Sequence, residues 1–323
     1  MQCKCLSCNS RFQMEPQAVV AFCPVCGTTS NLREPQNNTN GICLFSKEAK
    51  KSAVGGGHYL VLLDNGLLFA WGNNDAGQLG VPGPKASIRP IRIMSNVIDV
   101  AAGAKHTIAL LTDGTVLTWG KGKELQLGRG NEPGGCVPRK VRLPGKAVQV
   151  YAADNMSAAL LENREVWVWG SSRALVFRAI LPQLLTADAL FVHMSQNGIA
   201  VLHSENCITG LRLVSEHHSH SGKRFDRKKV LYDRRITSIW IGEEWSDYFL
   251  DEEGRLFNAS FVDDNKEITL ENPNATDAKT LFSFKDAAFL LKVNGALLSS
   301  GSNYYYEANP HASHVHVYGR QKV

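Results

Sequence analysis

The chain has 323 residues, 44% hydrophobic and 20% charged, which is the content of a globular protein of one to three domains and excludes a disordered tail. No run of about 18 apolar residues occurs, so no membrane span is expected, and the opening MQCKCLSCNS lacks the apolar segment of a secretory signal. The formal net charge of +5 is local: Lys223, Arg224, Arg227, Lys228, Lys229, Arg234 and Arg235 face only Asp226 and Asp233 between His217 and Arg235, leaving 28 basic and 28 acidic residues elsewhere.

Five of the eight cysteines lie in the first 26 residues: Cys3, Cys5, Cys8, Cys23 and Cys26. Clustering in a chain without a secretion signal favours metal binding over disulfides, and with it a reducing compartment. Cys5-Leu6-Ser7-Cys8 and Cys23-Pro24-Val25-Cys26 each place two thiolates two residues apart, so that one tight turn brings both sulfurs to one ion at ~2.3 Å. Asn9 and Gly27 tolerate the left-handed backbone such turns need. The segment resembles a zinc ribbon of the rubredoxin-like knuckle type, with Phe12, Val19, Val20 and Phe22 supplying its small strands. One structural zinc on Cys5, Cys8, Cys23 and Cys26 is expected, with iron or a redox dithiol as alternatives and Cys3 as an alternative to Cys5. Four thiolates close the coordination sphere and leave no position for catalysis. The polar stretch Thr28–Gly41 reads as a linker. The expected organisation is a ribbon over 1–30, a linker over 31–41 and a repeat domain over 42–323.

Repeats dominate the rest. Residues 53–80 read AVGGGHYLVLLDNGLLFAWGNNDAGQLG, residues 101–130 AAGAKHTIALLTDGTVLTWGKGKELQLGRG, and residues 152–170 AADNMSAALLENREVWVWG. Their Trp-Gly pairs fall at 71/72, 119/120 and 169/170, a spacing of 48 and then 50 residues. A weaker apolar–turn–apolar skeleton recurs at 198–210, 246–260 and 287–302, giving six units. Each unit reads as a hairpin closed by a turn such as Asp64-Asn65-Gly66 or Thr112-Asp113-Gly114, whose central residues can both take positive φ. Two more short strands follow in the first unit, at Ile91–Ile93 and Val97–Val100. Four short strands per unit of about 45–50 residues predict an all-β fold, a β-propeller.

The pattern Gly-x-x-His, Asp-Gly, Trp-Gly, Gly-Gln-Leu-Gly resembles the regulator of chromosome condensation repeat. Gly55, His58, Asn65-Gly66, Trp71-Gly72 and Gly77–Gly80 carry it in the first unit, and His106, Asp113-Gly114 and Trp119-Gly120 in the second. The third unit has lost the His and the Asp-Gly. The resemblance implies seven blades, whereas the repeat units imply six. Six is the expectation and seven the alternative, with the ring closed by pairing Ile42–Phe45 or His314–Tyr318 into a blade begun by the other chain end. The repeated His and Trp residues read as structural.

No phosphate loop, nucleophile elbow or His-Glu-x-x-His helix is present, so no enzyme and no small-molecule substrate is expected. His217, His218, His220, His311, His314 and His316 read as solvated, and Asp251-Glu252-Glu253 as turn acids. The basic segment reads as a loop able to bind an acidic protein or phosphates. The expected function is a non-catalytic interaction or structural protein: a propeller scaffold with a zinc-ribbon docking element inside a larger assembly, in the cytoplasm, the nucleus or a virion assembled there. Nucleic-acid association through ribbon and basic loop is the alternative. The resemblance also implies guanine-nucleotide exchange on a small GTPase, which in that family relies on a wedge-like hairpin; no hairpin insertion is expected here.

Overall fold

The computed structural model describes residues 49–172, 177–216, 219–241, 247–259, 267–270, 275–284, 287–293, 297–301 and 316–318, with short N-terminal strands at 2–4, 11–13, 20–22 and 29–31. The N-terminal strands form two hairpins: β1 (Gln2–Lys4) pairs with β2 (Arg11–Gln13), and β3 (Val20–Phe22) with β4 (Thr29–Asn31). The four knuckle cysteines, Cys5, Cys8, Cys23 and Cys26, lie outside the described residues.

Six sheets follow in chain order. The first holds β5 (Ala49–Val54), β6 (His58–Leu63), β7 (Leu68–Asn73) and β8 (Ala86–Met94). The second holds β9 (Val97–Ala102), β10 (His106–Leu111), β11 (Val116–Gly120) and β12 (Gly135–Lys140). The third holds β13 (Ala147–Ala153), β14 (Met156–Leu161), β15 (Val166–Ser172) and β16 (Phe177–Thr186). The fourth holds β17 (Ala189–Ser195), β18 (Gly198–His203), β19 (Cys207–Glu216) and β20 (Ser219–Leu231). The fifth has three strands, β21 (Ile236–Ile241), β22 (Asp247–Asp251) and β23 (Leu256–Ala259). The next strand, β24 (Glu267–Thr269), crosses back and joins the fourth sheet parallel to β20. The sixth holds β25 (Ala278–Phe284), β26 (Ala287–Lys292), β27 (Leu297–Gly301) and β28 (His316–Tyr318).

Two expectations are corrected by this order. Val97–Val100 opens the second sheet, and the first takes an edge strand from upstream, at β5. The C-terminal strand β28 completes its own sheet against β27, so this strand is not lent to a blade at the other chain end. Ile42–Phe45 lies outside the described residues.

The strands β6, β10, β14 and β18 are buried over most of their length and mostly apolar. In β14 and β18 every residue is buried. The chain divides into two compact units, Met1–Ser157 and Ala158–Val323. The core of the first gathers Leu60, Leu62, Leu68, Leu79, Val100 and Trp119; that of the second, Ile208, Val230, Ile239, Phe249, Phe257 and Ile268.

The hairpin turns depart from the expected two-residue form. Gly66 N donates to Leu63 O at 2.9 Å, and of the turn residues only Gly66 takes a positive φ, at 78°. This is a type I turn followed by a left-handed residue. The third unit keeps the geometry without the glycine: Arg164 sits at φ 67° and its Nε donates to Ala189 O at 3.2 Å.

The Gly-x-x-His motif has a steric and a hydrogen-bonding cause. A Cβ on Gly103 would stand 2.1 Å from His106 Cε1, so the imidazole occupies the space a side chain would need; at Gly55 the distance to His58 Cε1 is 2.3 Å. Each ring then reaches the next sheet. His58 Nε2 meets Thr107 Oγ1 at 3.0 Å and His106 Nε2 meets Ser157 Oγ at 2.8 Å. Both hydroxyls give their single hydrogen to a loop carbonyl, Thr107 to Gln78 O at 2.7 Å and Ser157 to Gln126 O at 2.9 Å. Each hydroxyl must therefore accept from the histidine, which fixes the Nε2–H tautomer and leaves Nδ1 a buried, unpartnered acceptor. Burial drives His58 down to about 4 and His106 to about 3, the latter helped by the nearby His58. The repeated histidines are thus structural.

The carbonyl of Gln78 also accepts Trp119 Nε1–H at 3.0 Å, so the Gly-Gln-Leu-Gly loop of one repeat is bolted to the Trp of the next. Gly80 lies against that indole: a Cβ there would meet Trp119 Nε1 at 2.9 Å. Trp119 and Trp169 are fully buried, whereas Trp71 is half-buried and stacks on Tyr59, with ring centroids 5.5 Å apart.

Candidate functional site

The basic segment expected as a loop is mostly strand. From Ser219 to Leu231 it forms β20, thirteen residues long, antiparallel to β19. The register sets Glu216 opposite Ser219, Arg212 opposite Lys223 and Leu211 opposite Arg224. On its other side β19 follows β18 only as far as the pair Gly198↔Arg212. Beyond that point Leu213–Glu216 and Ser219–Gly222 are a two-stranded ribbon with no third strand among the described residues. At ~3.4 Å per residue, four pairs carry it about 14 Å past the end of β18. The pairing of β19 with β20 therefore runs four residue pairs beyond the end of β18.

Of the seven basic residues assigned to this site, Lys223, Arg224, Arg227, Lys228 and Lys229 lie on β20. Lys229 is exposed and stands beside Glu267 of β24 in the parallel register. Lys228 is half-buried. Arg234 and Arg235 are not part of the arm. They occupy the turn before β21, where Arg234 ion-pairs with Glu253 and its carbonyl accepts Asn206 Nδ2 at 2.6 Å. Arg235 O accepts Glu252 N at 3.1 Å. The structure thus splits the set into five residues on a strand and two in a tertiary turn.

That turn shows what the acids at 251–253 do. Asp251 is buried, and its carboxylate accepts from Arg255 N at 2.8 Å, Arg255 Nε at 2.7 Å and Tyr232 OH at 2.8 Å. These bonds hold Asp251 below the usual carboxylate range against the opposing effect of burial. Burial and the bond to Asp251 push Tyr232 up to about 12. Tyr232 directly follows β20, so this network anchors the root of the arm. Sequence reasoning had Asp251 as a turn acid and missed its partner, 19 residues upstream.

Comparison with known proteins locates the repeats. The Regulator of chromosome condensation (RCC1) repeat matches over residues 65–110 and 113–160, and a second form of the repeat over 50–78 and 97–126. The chain is 34% identical over 113 residues to the regulator of chromosome condensation of Drosophila melanogaster, and 38% identical over 115 residues to that of Mus musculus. These matches take in 33% of this chain and 21% and 27% of the two relatives, so the chain spans about a quarter of the length of the curated relatives it matches.

In fold, the chain resembles human WBSCR16 with a TM-score of 0.64 at 16% identity, covering 80% of this chain and 78% of that one. It also resembles Prp20p of Saccharomyces cerevisiae, a protein described with its binding to Gsp1p and histones, with a TM-score of 0.60 at 22% identity, covering 77% and 71%. The same yeast protein is known bound to Kap60. The chain is all-β with a propeller-type fold, and its residues 50–160 match the regulator of chromosome condensation repeat.

Proposed function

We propose that this protein is a non-catalytic interaction module in which a propeller scaffold presents the β19–β20 hairpin to an acidic partner within a larger assembly. The concentration of basic residues on β20 carries this reading. Five cations lie within seven residues of one strand, Lys223 to Lys229, with Asp226 the lone acid among them. Charge of one sign concentrated on one strand steers and holds an oppositely charged surface. The binding of Gsp1p, histones and Kap60 by Prp20p supports a protein-docking role for the fold.

The second docking element in this reading is an N-terminal zinc ribbon. Its support is the placement of the cysteine pairs. Cys5 and Cys8 fall in the connection between β1 and β2, and Cys23 and Cys26 in that between β3 and β4, as zinc knuckles require. Cys3 lies within β1, opposite Phe12, which favours Cys5 as the ligand. The compartment is a reducing one, the cytoplasm, the nucleus or a virion assembled there.

Affinity purification of the parent and of a Lys223→Glu, Arg224→Glu, Lys228→Glu, Lys229→Glu variant tests the role of the arm. The variant loses the partners that the parent retains; equal recovery removes the hairpin from the interface. Guanine-nucleotide exchange is the second reading, favoured by the length of the β19–β20 hairpin. Release of a fluorescent GDP analogue from a small GTPase, measured with and without the protein, separates the two. No acceleration is expected, and acceleration would replace the non-catalytic reading.

A further inference from the structure

We infer that the first sheet carries a stacking ledge for single-stranded nucleic acid, with Tyr59 and Trp71 against the bases and Lys85 and Arg89 on the phosphates. The ledge is separate from β20 and independent of the role proposed for that strand. It begins as a departure from the repeat. One residue past the motif histidine position stand Thr107 in the second unit and Ser157 in the third, both fully buried and each accepting the imidazole of the preceding sheet. The first unit has Tyr59 there, and its side chain is too large for that slot; it is 43% exposed. Trp119 and Trp169 are fully buried, whereas Trp71 is half-buried and lies nearly parallel to the Tyr59 ring, at an interplanar angle of 17°.

The register sets these rings in one row. Val54 stands opposite Tyr59, and Tyr59 opposite Trp71, and directly opposed residues share a face of the sheet. Across from Trp71, between the pairs Gly72↔Ser87 and Ala70↔Ile91, β8 bulges through Ile88 and Arg89. Ser87 pins the bulge: its Oγ donates to Arg89 O at 2.8 Å and accepts Arg89 N at 3.3 Å. Val54 is 40% exposed and Ile88 94%, so apolar side chains gather at the surface on both sides of the aromatic pair. Such a patch marks an interaction site. Charge names the partner. Strands β5 to β8 contain no Asp or Glu. Arg89 lies in the bulge and Lys85 four residues before it, both exposed, and Lys50 is exposed on β5. Asp75, in the connection between β7 and β8, is committed to Lys105. This field repels the cationic ligands that an aromatic surface otherwise suits and attracts anions. A single nucleic-acid strand joins an anionic backbone to flat bases whose faces are open to stacking.

The test uses the full chain and four fluorescent probes of equal length: single-stranded RNA, single-stranded DNA, duplex DNA and an abasic strand. Fluorescence anisotropy is read across a salt series. The parent should bind a single strand at least about fivefold tighter than the abasic strand, the effect of one stacked base. The comparison of RNA with DNA identifies the source of that strand. Tyr59→Ala should remove the preference, and Tyr59→Phe should retain it. Lys85→Glu with Arg89→Glu should weaken binding of every single strand and flatten the slope of log affinity against log salt by about 1.4, near 0.7 for each lost contact. Thermal unfolding checks that the variants are folded, and the preference of the parent needs no variant. Equal binding of single-stranded and abasic probes, a preference that survives Tyr59→Ala, or an equal loss of duplex binding in that variant overturns the ledge. Binding of a labelled polyproline peptide that Tyr59→Ala abolishes, with no preference for bases, assigns the ledge to a protein segment and overturns it too. The Lys223→Glu, Arg224→Glu, Lys228→Glu, Lys229→Glu variant should keep the preference. If that variant loses it and Tyr59→Ala does not, the strand sits on β20: the ledge inference fails and the role of β20 stands.

Discussion

His106 and Ser157 join two sheets through one hydrogen bond of 2.8 Å whose direction is forced, because the only hydrogen of Ser157 is given to Gln126 O. Ser157→Ala therefore strips a buried N–H of its acceptor and a loop carbonyl of its donor. We expect a loss of ~1–3 kcal/mol in urea unfolding, with Ser157→Thr close to the parent. An alanine variant as stable as the parent would mean that the relay contributes nothing.

Gly103 and His106 should behave as a coupled pair. Gly103→Ala forces a methyl group into the imidazole and should cost ~1–3 kcal/mol. His106→Met in the same chain removes the ring, and the third repeat combines Ala153 with Met156 at the matching positions. A double-mutant cycle should show a favourable coupling of at least ~1 kcal/mol. Additive effects would detach the glycine from the histidine.

Acid should destabilise the protein through the same rings. The folded values of about 4 for His58 and about 3 for His106 and His193 lie below the unfolded value of 6.5. The unfolded chain thus takes up protons first as pH falls. The stability these groups contribute is complete above pH 6.5 and is lost progressively down to the folded values. Each contributes a slope of up to ~1.4 kcal/mol per pH unit in that window. Denaturation at pH 7, 6 and 5 should show the decline, and the Gly103→Ala, His106→Met chain should show a shallower one. Identical slopes would contradict the assignment of His106.

The N-terminal segment should hold one zinc per chain. Elemental analysis of protein purified without chelator measures this directly, and a metal-free protein or a disulfide among the four cysteines would rule the site out. Cys26→Ser should release the metal and unfold the ribbon, because a domain of about 30 residues lacks the core to fold without it. The main thermal transition of the repeat domain should stay in place.

The repeat itself was legible in the sequence because its signals are local. A Trp-Gly spacing, a turn glycine and an apolar run each act within a few residues, and each marks a strand or turn that the structure contains. The loss of the histidine in the third repeat was legible too, at Met156, but that position 199 carries Ile where the bonds of the first two repeats would need a hydroxyl follows only from the structure. What local signals could not give was partnership across sheets. Nothing in the sequence distinguishes Trp71, half-buried against Tyr59, from Trp119, sealed under the carbonyl of Gln78. Nor does the local sequence assign β24 to the fourth sheet and not the fifth. The basic arm was hidden for a related reason. The residues between β19 and β20 hold no Asn-Gly or Asp-Gly, and the polar residues of β20 mimic a loop because they show no regular apolar alternation. Composition set the charge of that segment; only the backbone pairing of β20 with β19 on one side and β24 on the other decided that the charge stands on a strand.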